Sequence, residues 1–239
     1  RGLVYVDVGF DLSTVPTRAL PLVPLLRRFL LETGTRSRSL AELTRAIDTH
    51  TGGIDAGYDL MPSSARGAPM RRFFVRGRAL ASKAQDLMDL MREVLLEARF
   101  DDVASIRTLA LETLARRRAS LERAGHRYAL RRLATHDSVE GRAEEAMVGL
   151  AGLASLQAFV DACATDPDTV MADLEALRTQ RITTQGVVVG VTADAALAAK
   201  VVPVIRSFLD ALPSSIAEPQ DWSLPVANAA EGWTLPGQV

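Results

Sequence analysis

Lysine is almost missing from this chain. Only Lys83 and Lys200 occur, so nearly all positive charge is arginine, which together with the abundant alanine reflects a GC-rich coding sequence and carries no function by itself. Cys163 is the sole cysteine, which excludes an internal disulfide and a cysteine-based zinc site, and it reads as a small apolar residue on a helix. No run approaches the roughly 18 apolar residues of a membrane helix. Neither sign of charge is in excess, 28 basic against 29 acidic residues, so no overall field draws nucleic acid or an anionic membrane. There is no glycine-rich phosphate loop, no Gly-x-Ser-x-Gly nucleophile elbow and no internal repeat of about 20 to 50 residues. Arg1 opens inside a strand pattern with no initiator Met or leader, which reads as a piece of a longer polypeptide.

What is present is an apolar content of 48%, enough for a sizeable core in one domain. Gly2 to Phe10 reads as a strand with neighbours on both sides, and Pro21 to Thr33 as a helix with Leu22, Leu25, Leu26, Phe29 and Leu30 at helical spacing, ended by Gly34-Thr35. Ser39 and Glu42 form a capping box before the stripe Leu40, Leu43, Ile47, and Gly52-Gly53 stop that helix. Ile54 to Leu60 and Arg71 to Leu80 alternate as two strands of an antiparallel pair, leaving a polar face with Arg72, Arg76 and Arg78 that can line a cavity. A second capping box, Ser82 and Gln85, is expected to open a long helix carrying Leu87, Leu90, Met91, Val94 and Leu95. Helices are expected over Val103 to Arg123, Asp137 to Gly152, Leu153 to Thr165 and Asp166 to Thr179, the last with Asp166 as N-cap and Pro167 at its first position. The apolar run Gly186 to Thr192 reads as a central strand buried on both faces, and Ala193 to Leu212 as a closing helix.

The phrases Gly2-Leu-Val-Tyr5 before a Pro- and Leu-rich helix, Leu96 to Asp102 (similar to an Asn-Pro-x-Phe-Asp helix entry) and Gly125-His-Arg-Tyr-Ala129 come in an order that resembles the pitrilysin/insulinase class of zinc metallopeptidases. Within that class the chain is similar to the non-catalytic third domain of the presequence proteases. Catalytic domains of the class carry His-x-x-Glu-His on the corresponding helix, two histidines binding zinc and a glutamate activating water. The matching positions here are Leu25, Leu26, Arg27, Arg28 and Phe29. The resemblance therefore implies an α+β domain with a mainly antiparallel, mixed sheet under helices, no catalytic or metal-binding residue of its own and no cofactor, while zinc belongs to the parent enzyme. It implies the other domains of that parent and its peptide substrate as partners, with no nucleic acid and no membrane, in a bacterial cytoplasm or an organelle matrix as a soluble protein.

The remaining candidates are few. A zinc site needs three or four ligands, and among His50, His126, His136, the carboxylates and Cys163 no two histidines stand at i, i+4. His50 sits at a helix C-terminus, where the dipole favours a cation. His126, Arg127 and Tyr128 are candidates for substrate or interdomain contact, or for local hydrogen bonds at a helix break. Arg116, Arg117 and Arg118 with Arg123, Arg127, Arg131 and Arg132 make the best case for nucleic acid, but Glu112 and Glu122 are interleaved and no aromatic platform accompanies them, so they read as a solvated or interdomain face. The domain is expected to span 1–212, with 213–239 as a linker and the start of a following domain beginning at Gly232-Trp233. Deletion of Ile216 to Val239 should on this reading leave stability nearly unchanged. The rival reading is an inactive scaffold or subunit domain of the same fold in a larger assembly.

Overall fold

The computed structural model describes residues 2–63 and 67–233. Four strands form one sheet in the order β2-β3-β1-β4. β1 (Leu3–Asp11) lies in the middle, antiparallel to β3 (Met70–Leu80) on one side and to β4 (Val188–Thr192) on the other, and β2 (Ile54–Met61) pairs antiparallel with β3. The sheet is thus antiparallel throughout, within the expected α+β class.

Because strand side chains alternate, Val4, Val6, Val8 and Phe10 of β1 and Phe73, Val75 and Ala79 of β3 all point to one side, where each is buried. Helices cover that side: α1 (Val23–Glu32) and α6 (Val139–Val148) against β2, and α3 (Ala84–Glu97) against β3. α9 (Ala195–Asp210) packs on α3, and α2 (Leu40–His50) buries Leu43 beside it. α4 (Val103–Arg123), α5 (Gly125–Ala134), α7 (Leu150–Thr165) and α8 (Pro167–Arg181) complete a helical layer joined to the sheet by one continuous apolar core.

Local signals place most helix starts. Ser39 N–H donates to the Glu42 carboxylate at 2.9 Å while Ser39 Oγ accepts from Glu42 N–H, the expected capping box. Asp102 accepts from Ser105 N–H at 3.1 Å to open α4, and Asp166 with Pro167 opens α8.

Four expectations are corrected. Ser82 does not cap α3: a 3-10 turn over Ala81–Lys83 intervenes, the helix begins at Ala84 with no side-chain cap, and Gln85 donates forward to Asp89. The break between α6 and α7 falls at Gly149, not Gly152, because the Glu145 carboxylate accepts from the N–H groups of Leu150 and Ala151 and so starts α7 there. β4 is an edge strand, half exposed, since it pairs with β1 alone and only Val189 and Val191 turn toward the helices.

The fourth correction concerns the segment 213–231, read as a linker. It is a strap laid across the molecule, with Trp222 only 1% exposed. Gln185 exchanges two hydrogen bonds with Ala217, Gln220 N–H donates to Ser13 O, and the Trp222 indole N–H donates to Val15 O at 2.9 Å. Ala227 N–H then donates to Thr135 Oγ1, and Glu231 takes both arms of the Arg132 guanidinium. Residues 234–239, where the start of a following strand was expected, lie outside the described residues.

α5 and α6 cross so closely that a Cβ on Gly141 would lie 2.1 Å from the Ala134 carbonyl oxygen. Gly141→Ala should therefore cost about 2 kcal/mol despite alanine's better helix propensity, because backbone cannot yield as a side chain does. A urea midpoint unchanged by the substitution would show that the two helices are free to move apart.

Candidate functional site

The side of the sheet opposite the helices is bare. β1 presents Leu3, Tyr5, Asp7, Gly9 and Asp11 there, β3 presents Arg72, Phe74, Arg76 and Arg78, β2 presents Asp55, Gly57 and Asp59, and β4 presents Val188, Gly190 and Thr192. Tyr5 and Val188 are each 44% exposed, which no covered sheet face allows. Across the strands the register sets Asp55 and Asp7 on either side of Arg76, and Asp59 and Asp11 on either side of Arg72. Arg76 also reaches diagonally to Asp59 at 2.6 Å. Arg72 and Arg76 are thus each bracketed by carboxylates, as opposite charges on neighbouring strands favour, while Arg78 donates to the Gly52 carbonyl. Between the two charged rows lies an apolar strip in which Phe74 crosses Gly9: a Cβ there would meet the ring at 2.6 Å and Val188 at 2.9 Å. The result is a flat surface with a lean apolar centre and largely paired charged borders, able to receive an extended chain.

The five positions matching the zinc helix do structural work. Leu25, Leu26 and Phe29 are buried in the core, and Phe29 stacks on Phe159 with centroids 6.0 Å apart. Arg27 pairs with Asp55 at 2.7 Å. Arg28 bonds Glu32, Glu112, Thr113 and the Leu109 carbonyl, tying α1 to α4, and the Glu32 carboxylate holds its guanidinium above the usual range. A zinc ion does not fit here, because hydrocarbon and guanidinium groups offer it no electron pair. Among the described residues no three His, Cys, Asp or Glu side chains converge as a metal site.

The other candidates are scattered. His50 Nδ1 lies 3.1 Å from Asp86, whose carboxyl is held low by its bond from Lys83. Burial pushes the Cys163 thiol up, away from reactivity. His126 and Arg127 are exposed, whereas Tyr128 is buried and its hydroxyl donates to Arg117 O at 3.0 Å, closing α5 onto α4. Of the arginine run, Arg117 donates to Met147 O, Arg118 to Gln157 and Arg132 to Glu231, so several of its members tie elements of the chain together. Sequence reasoning missed a cavity of about 380 Å³ between α5 and the strap, lined by Tyr128, Leu133, His136, Ala227 and Trp233 among others. The signal available was the exposed apolar face of α5, at Leu130 and Leu133.

The fold, a four-stranded antiparallel sheet with helices on one face, and an α1 that offers no metal ligand fit a non-catalytic domain of the metallopeptidase type. The profile of the family described as the peptidase M16 subfamily C associated domain matches residues 1–159, and the chain belongs to that family. It is 32% identical over 242 residues to presequence protease 1, chloroplastic/mitochondrial, of Arabidopsis thaliana, matching 99% of this chain but 22% of that protein. It is 28% identical to protein HypA of Clostridium perfringens over 61% of this chain and 15% of that protein. The chain thus spans about a fifth of the length of the curated relatives it matches. Among solved structures, a peptidase M16 inactive domain from Pseudomonas fluorescens superposes with TM-score 0.55 at 15% identity, over 91% of this chain and 47% of that one. A conserved protein from Enterococcus faecalis superposes with TM-score 0.60 at 13% identity, over 90% of this chain and 48% of that one, and these two likenesses show the fold. No single helix among the described residues is long and apolar enough to cross a membrane.

Proposed function

We propose that this chain is a wall domain of a larger zinc metalloendopeptidase that degrades peptides in an enclosed chamber, with the bare sheet face turned to the substrate. The observation that carries this reading is a sheet left uncovered on one side only, in a member of this family whose α1 holds hydrocarbon and guanidinium groups and no metal ligand at Leu25 to Phe29. A flat face with largely paired charge suits contact with many peptide sequences, and the chemistry falls to a zinc site elsewhere in the parent. Its other domains are the partners, and the chloroplastic/mitochondrial label of the Arabidopsis relative supports an organelle matrix or its bacterial counterpart as the compartment. In the same reading the domain includes the strap, which leads on toward the next one.

The test uses the full-length parent. A photo-crosslinking residue at Tyr5, on the bare face, should capture a bound peptide several-fold more efficiently than one at Thr108 on the exposed side of α4, and the parent should contain zinc and cleave that peptide. Equal or reversed capture removes the chamber-facing assignment; a parent without zinc or cleavage supports a scaffold domain instead.

A further inference from the structure

The cavity between α5 and the strap lies in the helical layer, away from the bare sheet face. Its lining is mainly apolar, and its Arg–Glu pair is already closed, Arg132 being held by Glu231 and Glu145; His136 adds one imidazole. At its mouth Leu133 and Trp233, both lining residues, are 63% and 64% exposed. An exposed leucine and an open tryptophan over an apolar cavity make the kind of patch that marks an interaction surface.

We infer that this patch and cavity are the docking surface for the adjoining domain of the same parent polypeptide, which inserts uncharged apolar side chains against Leu133 and Trp233. The inference rests on the parent proposed above, and three features favour this occupant. The strap runs along the cavity wall and reaches its rim at Trp233, so a domain tethered there meets the patch at high effective concentration. The aligned region is only 22% of the Arabidopsis relative, so in such a parent ample chain is available to cover it. A peptide with free termini or charged side chains finds no partner in a site whose ions are satisfied internally.

The test again uses the full-length parent, with single cysteines at Leu133 (Leu133→Cys) and, as control, at the exposed Thr44 of α2 (Thr44→Cys), labelled with a maleimide. Cys163 is buried and contributes only a slow background. The label should enter position 133 at least tenfold more slowly than position 44, with the difference abolished in denaturant. Ala129→Cys, at an exposed residue of the same lining, is the second variant should Leu133→Cys fold poorly. Equal rates at 133 and 44 overturn the proposal, as does protection that varies with protein concentration, which signals a second copy, or that requires added peptide, which signals substrate. Zinc content and cleavage are read on the same samples. Rapid labelling in an active parent sinks the docking surface alone, and slow labelling in an inactive one sinks the peptidase reading alone.

Discussion

Trp222→Ala is expected to lower the stability of the chain by about 3–5 kcal/mol, the range for truncating a fully buried large aromatic. Three losses coincide at this residue. The indole is withdrawn from the core, the Val15 carbonyl loses its donor, and the Arg71 guanidinium, 4.4 Å from the ring centroid, loses the face it covers. For a chain of this size the melting temperature should fall by on the order of 10 °C. Deleting Ile216 to Val239 should cost at least as much, the reverse of what the linker reading of the sequence implies. Thermal unfolding of both variants checks this, and a shift within about 0.5 kcal/mol, as for a peripheral change, would mean that the strap lies on the surface without holding it.

The second large effect is expected at Arg71→Met. Arg71 opens β3 and pairs with Glu140 of α6 at 2.8 Å, and the Glu140 side chain is 7% exposed. Methionine keeps most of the volume but gives up the guanidinium over the Trp222 ring and leaves a carboxylate buried without its cation, a loss of about 3–5 kcal/mol. Arg71→Met combined with Glu140→Leu should recover most of that stability, because removing both charges also removes the desolvation cost of each. Arg71→Met and Trp222→Ala should be less than additive, since each already breaks the other's contact. A double variant of Arg71 and Glu140 no more stable than Arg71→Met would show that packing rather than the stranded charge sets the loss.

The candidate surfaces were legible in part. Arg72 and Arg76 on one strand and Asp55 and Asp59 on another announce a polar face from the sequence, but their bracketing depends on Asp7 and Asp11 of a third strand, which the pattern of β1 shows only as interruptions in an apolar run. What α1 offers at Leu25 to Phe29, hydrocarbon and guanidinium groups in place of metal ligands, is plain from the residue types. Its physical use is not: Arg28 finds Leu109 and Glu112 more than eighty positions away. The docking patch escaped because half of it belongs to a segment whose prolines, serines and asparagines read as linker, although such residues also suit an extended strap whose backbone bonds to side chains and loops.

What the sequence by itself determined is the kind of each element and most helix starts: β1 from its mainly apolar run, α2 from Ser39 and Glu42, α8 from Asp166 and Pro167. These follow from periodicities of two and 3.6 and from hydrogen bonds spanning three residues, all local quantities. Only the tertiary structure decided that β4 sits at an edge, that Arg178 is buried over the carbonyls of Leu95 and Leu96 at the end of α3, and that Trp222 closes the core. An apolar strand of five residues has the same composition at an edge as in the centre, and a tryptophan in an irregular segment has no period to say which way it faces. Its partner, Val15, stands 207 residues earlier in the chain, and only the folded path brings the two together.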